Sequence, residues 1–169
     1  ATGYGAALRL TADGQAPADT PFPATQSALP GLFSYGHRNP QGAAVDAAGR
    51  LWVLEHGPAG GDELNLIVPG GNYGWPVASY GVNYNGSEIG DGRAAHAPDF
   101  MPPRYYWDPV IAPGGMVFYD GAMFPDWRGD VLPAGLIAQA VVRLDIEGDT
   151  VMGEERLAEG VGRVRDIAV

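Results

Sequence analysis

Short runs in which apolar and polar residues alternate at a period of two recur along the chain, and Gly, Pro, Asp and Asn fill the gaps between them. That pattern predicts half-buried strands joined by tight turns. Residues 6–10 form the first such run and end at the turn residues Asp13 and Gly14, after which 17–30 has the Pro, Ala and Thr content of a loop. An antiparallel hairpin is expected from strands at 43–46 and 51–55, with Asp46 and Gly49 in its turn and Trp52 as its large apolar member. A third strand follows at 64–68. Residues 73–113 read as a loop, yet they hold Tyr73, Trp75, Tyr80, Tyr84, Phe100, Tyr105, Tyr106 and Trp107, and so aromatic a stretch argues against disorder. Strand patterns resume at 115–119, 130–134, 141–146 and 150–157, and 163–169 opens one more.

No apolar stretch keeps a period of 3.6 over helical length. Instead a unit repeats: a strand led by Gly42, Gly115 or Gly162, a turn, a second strand, then two more. Repeats of ~40–50 residues with four strands each mark propeller blades, and the longer of the two intervals contains the aromatic stretch. The fold class is therefore read as all-β, a partial β-propeller of about two full four-stranded blades plus parts of two more. The whole of 1–169 is expected to lie in one propeller domain, with 73–113 as an insertion. Propellers close with ~4–8 blades, and the last strand lacks a hairpin partner, so the chain is expected to be only part of a ring.

Composition narrows the chemistry. At 169 residues and 46% hydrophobic the chain can bury a real core, and its 26 glycines and 15 prolines suit turns rather than long helices. The net charge is −10 and all ten cationic side chains are arginine, so nucleic acid, which needs a basic face, is excluded as a partner. With no cysteine there is no disulfide, thiolate metal site or cysteine nucleophile. No run approaches the ~20 apolar residues of a membrane span, and no signal-peptide core opens the chain.

The hairpin at 43–55 carries two polar turns toward one end of a sheet. One is GHRNPQG at 36–42; the other opens EHGPAGGDELN at 55–65, and NYGWP follows at 72–76. A guanidinium, two imidazoles, amides and carboxylates are thereby brought together. These three motifs, in this order and spacing, closely resemble the soluble glucose/sorbosone dehydrogenase family, in particular its aldose sugar dehydrogenases that use pyrroloquinoline quinone (PQQ). The resemblance continues through residues 109–136 and through VGRVRD at 161–166, so it covers most of the chain from about residue 6 onward. It implies a six-bladed propeller with PQQ and calcium at one end of the central channel, of which this chain is roughly the C-terminal half. The N-terminal part of the same propeller is the implied partner, an aldose sugar the implied substrate, and the periplasm or the exterior the implied location.

The resemblance also implies roles for particular residues. PQQ carries three carboxylates, and the planar fork of arginine suits such groups. Arg38 matches the family's PQQ-binding arginine, with Asn39 beside it. Arg163 and Arg165 match a second arginine pair; alternation along a strand would point both to one face, and the alternative is solvated surface charge. The backbone carbonyls of Gly57 and Pro58 match the ligands of the calcium that touches the quinone, a Lewis-acid role. Glu63 and the carbonyl of Tyr73 match a structural calcium site, with Asp62 as a further source of charge; the alternative is a plain turn with Glu63 solvated. Tyr84 matches a residue lining the cofactor and Trp107 is expected to border the sugar cleft, against ordinary packing for either. His37 and His56 are read more simply as turn hydrogen-bonding residues than as bases.

Two departures from the family pattern stand out. The family's general-base histidine belongs to the N-terminal half, so no catalytic residue is expected here and the chain alone should not turn over sugar. Ile137 stands where a PQQ-contacting lysine is usual, and it cannot pair with an anion. The expected activity of the complete enzyme is oxidation of an aldose at C1 to a lactone, hydride passing to the quinone while a base takes the hydroxyl proton. Two other readings remain open: a non-enzymatic, calcium-stabilised propeller that binds carbohydrate or protein, and a propeller lactonase using a single calcium.

Overall fold

Among the described residues the alternation along the chain becomes ten strands in three antiparallel sheets. The computed structural model describes residues 3–22, 28–90, 96 and 98–169. Residues 23–27 of the expected loop at 17–30, and 91–95 and 97 of the aromatic stretch, lie outside the described residues. Strand β1 (Ala6–Leu8) pairs with β2 (Leu32–Tyr35). Strands β3 (Pro40–Val45), β4 (Leu51–Glu55), β5 (Asp62–Leu66) and β6 (Tyr105–Trp107) form one four-stranded sheet in that order. A second such sheet holds β7 (Pro113–Phe118), β8 (Val131–Gly135), β9 (Ala140–Glu147) and β10 (Thr150–Leu157). With β3 and β7 side by side these are two blades of a partial β-propeller, and β1–β2 is part of another. Among the described residues no helix is long and apolar enough to cross a membrane.

The blades meet over an apolar core. Trp52, Leu54, Leu64 and Trp107 of the first pack against Met116, Val131, Val142 and Leu144 of the second, with Ile111 from the connection between them. Each such side chain contributes roughly 1.5–3 kcal/mol by leaving water. The two inner strands approach closely because Gly42 has no side chain: a Cβ there would lie 2.8 Å from the carbonyl oxygen of Gly114. At the hairpin turn, Asp46 accepts from the backbone of Ala48 and Arg50 and from Nε1 of Trp52, tying turn to core. On the outer side Glu154 of β10 accepts from the Tyr105 hydroxyl and from Nε1 of Trp107, joining the blades at their rim.

Three sequence expectations change. The loop-like stretch 73–113 supplies β6, because three residues pair with β5 in the register Asp62↔Trp107, Glu63↔Tyr106 and Leu64↔Tyr105. Trp107 is consequently core, 4% exposed, rather than the edge of a cleft. Residues 163–169 form no strand: the segment runs beside β7 with a single backbone bond, from Gly115 N to the carbonyl of Arg165, and one bond does not make a ladder. The expected common face of Arg163 and Arg165 therefore loses its strand basis, although both side chains are exposed.

Candidate functional site

Register decides what meets at one end of the first blade. Pro40 lies opposite Glu55, and Glu55 lies opposite Glu63, so the 36–40 turn, the 55–62 turn and the start of β5 share that end. Side chains two apart on a strand share a face, which adds Asn65 to Glu63. The result is a buried polar layer built around Glu55. Glu55, 3% exposed, takes four hydrogen bonds: from His37 Nδ1 (2.9 Å) and Asn65 Nδ2 (2.8 Å) on Oε1, and from the backbone of Arg38 (2.7 Å) and Asn39 (3.3 Å) on Oε2. Because the carboxylate can only accept, His37 donates from Nδ1, and its Nε2 meets the Ser34 hydroxyl at 2.9 Å, accepting from it when the ring is neutral. The His37 ring also stacks on Tyr73.

Glu63 was expected at the end of a turn, with a solvated side chain as the alternative. It is instead in β5 and 7% exposed. Burial first and the charge of Glu55 second push its carboxyl up to about 8; the hydrogen bond from Asn65 opposes them, and the charge of Asp62 adds the smallest upward push. Like charges placed opposite each other on one sheet face repel, and the Asn65 amide moderates this by donating to both glutamates. Asp62, also raised chiefly by burial, turns the other way: it accepts from Gly57 N (2.9 Å) and Ala112 N (2.8 Å). It therefore holds the 56–58 turn against the corner where Ala112 takes a left-handed φ of 50°. The same turn curls so tightly that a Cβ on Gly57 would collide with the carbonyl of Gly60.

Beside Glu63 lies a cavity of ≈ 10 Å³, walled also by Glu55, Gly57, Tyr73, Ser79 and His96. That is room for about one water-sized sphere. A single cation fits its size and its anionic wall, and would relieve the desolvated Glu63. Among the described residues no group of three or more His, Asp or Glu side chains has metal-holding geometry, so a calcium here would need backbone carbonyls, such as that of Tyr73, to complete its shell.

Arg38 is half-buried at the mouth of this layer. Its Nη1 donates to the carbonyls of His56 (3.2 Å) and Gly57 (2.9 Å), its Nη2 reaches the Tyr84 hydroxyl at 3.5 Å, and its guanidinium lies 5.2 Å over the Trp75 ring. Nε is buried without a hydrogen-bond partner. An anion at this guanidinium would give Nε an acceptor, so the arginine suits one carboxylate of PQQ. Asn39 is exposed on the same turn and accepts from Gln41 through Oδ1. The carbonyl of Gly57 keeps a second lone pair while bonded to Arg38, and Gly57 and Pro58 are themselves buried.

The sequence-predicted residues thus divide. Arg38, Asn39, Gly57, Pro58, Glu63, Tyr73 and Tyr84 gather at one end, with Tyr84 80% exposed. Arg163 and Arg165 stand on the neighbouring segment beside β7, whose first residue, Pro113, accepts from His56 Nε2 at 2.6 Å. Ile137, 55% exposed, tops the turn between β8 and β9, next to Ile111. Glu55, Asn65 and Trp75 were missed as site residues. A signal existed for two of them: a carboxylate closing the apolar run LWVLE, and an amide inside DELNL, are polar groups at core-facing positions.

Comparison with known proteins gives a consistent result. The family profile described as Glucose / Sorbosone dehydrogenase matches residues 1–169. Aldose sugar dehydrogenase YliI of Escherichia coli is 38% identical over 165 residues, 96% of this chain and 44% of that protein. Among solved structures, a glucose dehydrogenase superposes with a TM-score of 0.90 at 45% identity, covering 96% of this chain and 47% of that one. The PQQ-bound form of an aldose sugar dehydrogenase from Streptomyces coelicolor superposes with a TM-score of 0.73 at 33% identity, covering 98% of this chain and 42% of that one. The chain spans less than half the length of these relatives.

Proposed function

The chain belongs to the glucose/sorbosone dehydrogenase family, and from that premise we propose that it is part of a PQQ- and calcium-dependent enzyme oxidising aldose sugars at C1 to lactones. One observation carries the reading. The guanidinium of Arg38 and the carbonyl of Gly57 lie 2.9 Å apart at the end of the first blade, so a cation for a carboxylated cofactor and an oxygen for a metal share one site. PQQ held there would supply a hydride-accepting quinone, and calcium would supply Lewis-acid polarisation.

In this reading Arg38 and Asn39 anchor PQQ, Arg163 and Arg165 add a second pair of cations, and Tyr84 lines the cofactor. Gly57 and Pro58 offer carbonyls to the active calcium, and Glu63 with the carbonyl of Tyr73 holds a structural one. No residue of this chain is proposed as the base. His37 is sealed between Ser34 and Glu55, and His56 is occupied by the carbonyl of Pro113. The base comes from the N-terminal part of a six-bladed ring, in which 1–169 is one portion of a single domain with its insertion at 73–113. A periplasmic or secreted location goes with this reading.

The test is sugar-dependent dye reduction by the full-length protein after removal of bound cofactor and metal. Turnover should require PQQ and calcium together and should release a lactone. Absence of turnover with both added, or lactone hydrolysis without PQQ, would contradict the proposal.

A further inference from the structure

Resting on that reading, we infer that Glu55 is the positioning residue of the cofactor anchor: its buried carboxylate fixes the Arg38–Asn39 turn against the 56–58 turn. The backbone N–H groups of Arg38 and Asn39 both end on Oε2 of Glu55, at 2.7 and 3.3 Å. A single oxygen therefore sets the orientation of two consecutive peptide units, and with them the directions in which both side chains leave the turn. On Oε1 the carboxylate is itself immobilised by His37 Nδ1, from the turn's own start, and by Asn65 Nδ2, from β5.

The contact is reciprocated across the two turns. His56, next in sequence to Glu55, donates its N–H to the carbonyl of Asn39 at 3.0 Å, and Arg38 returns two bonds to the carbonyls of His56 and Gly57. Glu55 does not bond the Arg38 guanidinium; its action on a bound anion would pass through the backbone of the turn. Without the carboxylate, two backbone N–H groups and two side-chain donors lose their acceptor together, and the turn must move to find others. The charge matters less than the acceptor geometry. In Glu55→Gln the remaining oxygen can stay on Arg38 and Asn39, while the new amide faces His37, whose ring can shift its proton to Nε2 and accept, and Asn65, whose partnerless Oδ1 can turn inward.

The test is a double-mutant cycle on PQQ affinity in the calcium-loaded full-length protein, followed by quinone absorbance, with thermal unfolding of each variant recorded alongside. Glu55→Ala should weaken PQQ binding by about tenfold when Arg38 is present and by less than about twofold in an Arg38→Ala background, because the two losses share one path. Glu55→Gln should recover most of the affinity. Should the alanine variant not fold, Glu55→Asp, which keeps the charge but withdraws the carboxylate by one methylene, takes its place in the cycle and should lose about fivefold, again only with Arg38 present. Equal losses in both backgrounds, or a Glu55→Gln variant no better than Glu55→Ala, would overturn the inference and leave Glu55 as general scaffolding. A wild-type protein that gives no PQQ response would overturn the function proposed above together with it, and the two failures are thereby told apart.

Discussion

The two complete blades share strand number, order and antiparallel pairing, but they bury different things. In the second, the third strand β9 reads AVVRLDIE and buries only apolar side chains, Ala140, Val142 and Leu144; the buried charge beside it, Asp130, meets Nε of Arg143 at 2.6 Å. In the first, the corresponding strand β5 reads DELNL; its buried Glu63 and Asn65 face Glu55 across the sheet, and its buried Asp62 points to the other side. Among the described residues Glu63 has no arginine partner. One sheet plan thus serves as frame where its interior is apolar and as site where it is anionic. Buried carboxylates cost stability, and the proposed metal and cofactor would offset that cost at this end of the first blade.

The largest effect expected from this contrast is on stability alone. Leu144→Ala removes a fully buried side chain from the interblade core and should destabilise by about 2–5 kcal/mol in urea unfolding. PQQ affinity of the folded variant should stay within about twofold of wild type. A comparable loss of affinity would mean that the second blade is part of the site rather than its frame.

Next comes the pH dependence of the metal-free protein. Glu63 is held up to about 8 in the folded state against an ordinary value of 4.5, so between those values the folded form keeps a proton that the unfolded chain has released. Stability should therefore fall as pH rises from about 4.5 to about 8 and level off above, with a slope of at most about 1.4 kcal/mol per pH unit from this group. Asp62, also raised, adds a contribution of the same sign starting lower. Glu63→Gln should flatten the slope in chelator, and calcium should flatten it in the wild type. An unchanged slope in the variant would remove Glu63 from the account. Smallest is Ile137→Lys: a cation restored at this exposed turn should tighten PQQ binding by about two- to fivefold, with stability moving by less than about 0.5 kcal/mol. No tightening would place Ile137 outside reach of the cofactor.

Much of the frame was legible because strand alternation and turn residues are local. Thr150–Leu157 coincides with its predicted run, and the β3–β4 hairpin turns where Asp46 and Gly49 stand. The turn carrying Arg38 was legible for the same reason, as a compact motif. What escaped depends on partners distant in sequence. Tyr105–Trp107 becomes a strand only because β5, some forty residues earlier, offers an edge, and 163–169 fails to become one because a single bond to Gly115 is all it finds. Glu55 was visible as a member of its turn, but its task follows from cross-strand register with Glu63 and from where Arg38 and Asn39 point their N–H groups.

The most direct test of the central claim is a titration of the full-length, calcium-loaded protein with PQQ, read by quinone absorbance, in wild type and Arg38→Ala. The account predicts a saturable response in the wild type and, with the loss of one or more charge-assisted hydrogen bonds, about tenfold to hundredfold weaker binding in the variant. Identical titrations, or no response in either protein, would contradict it.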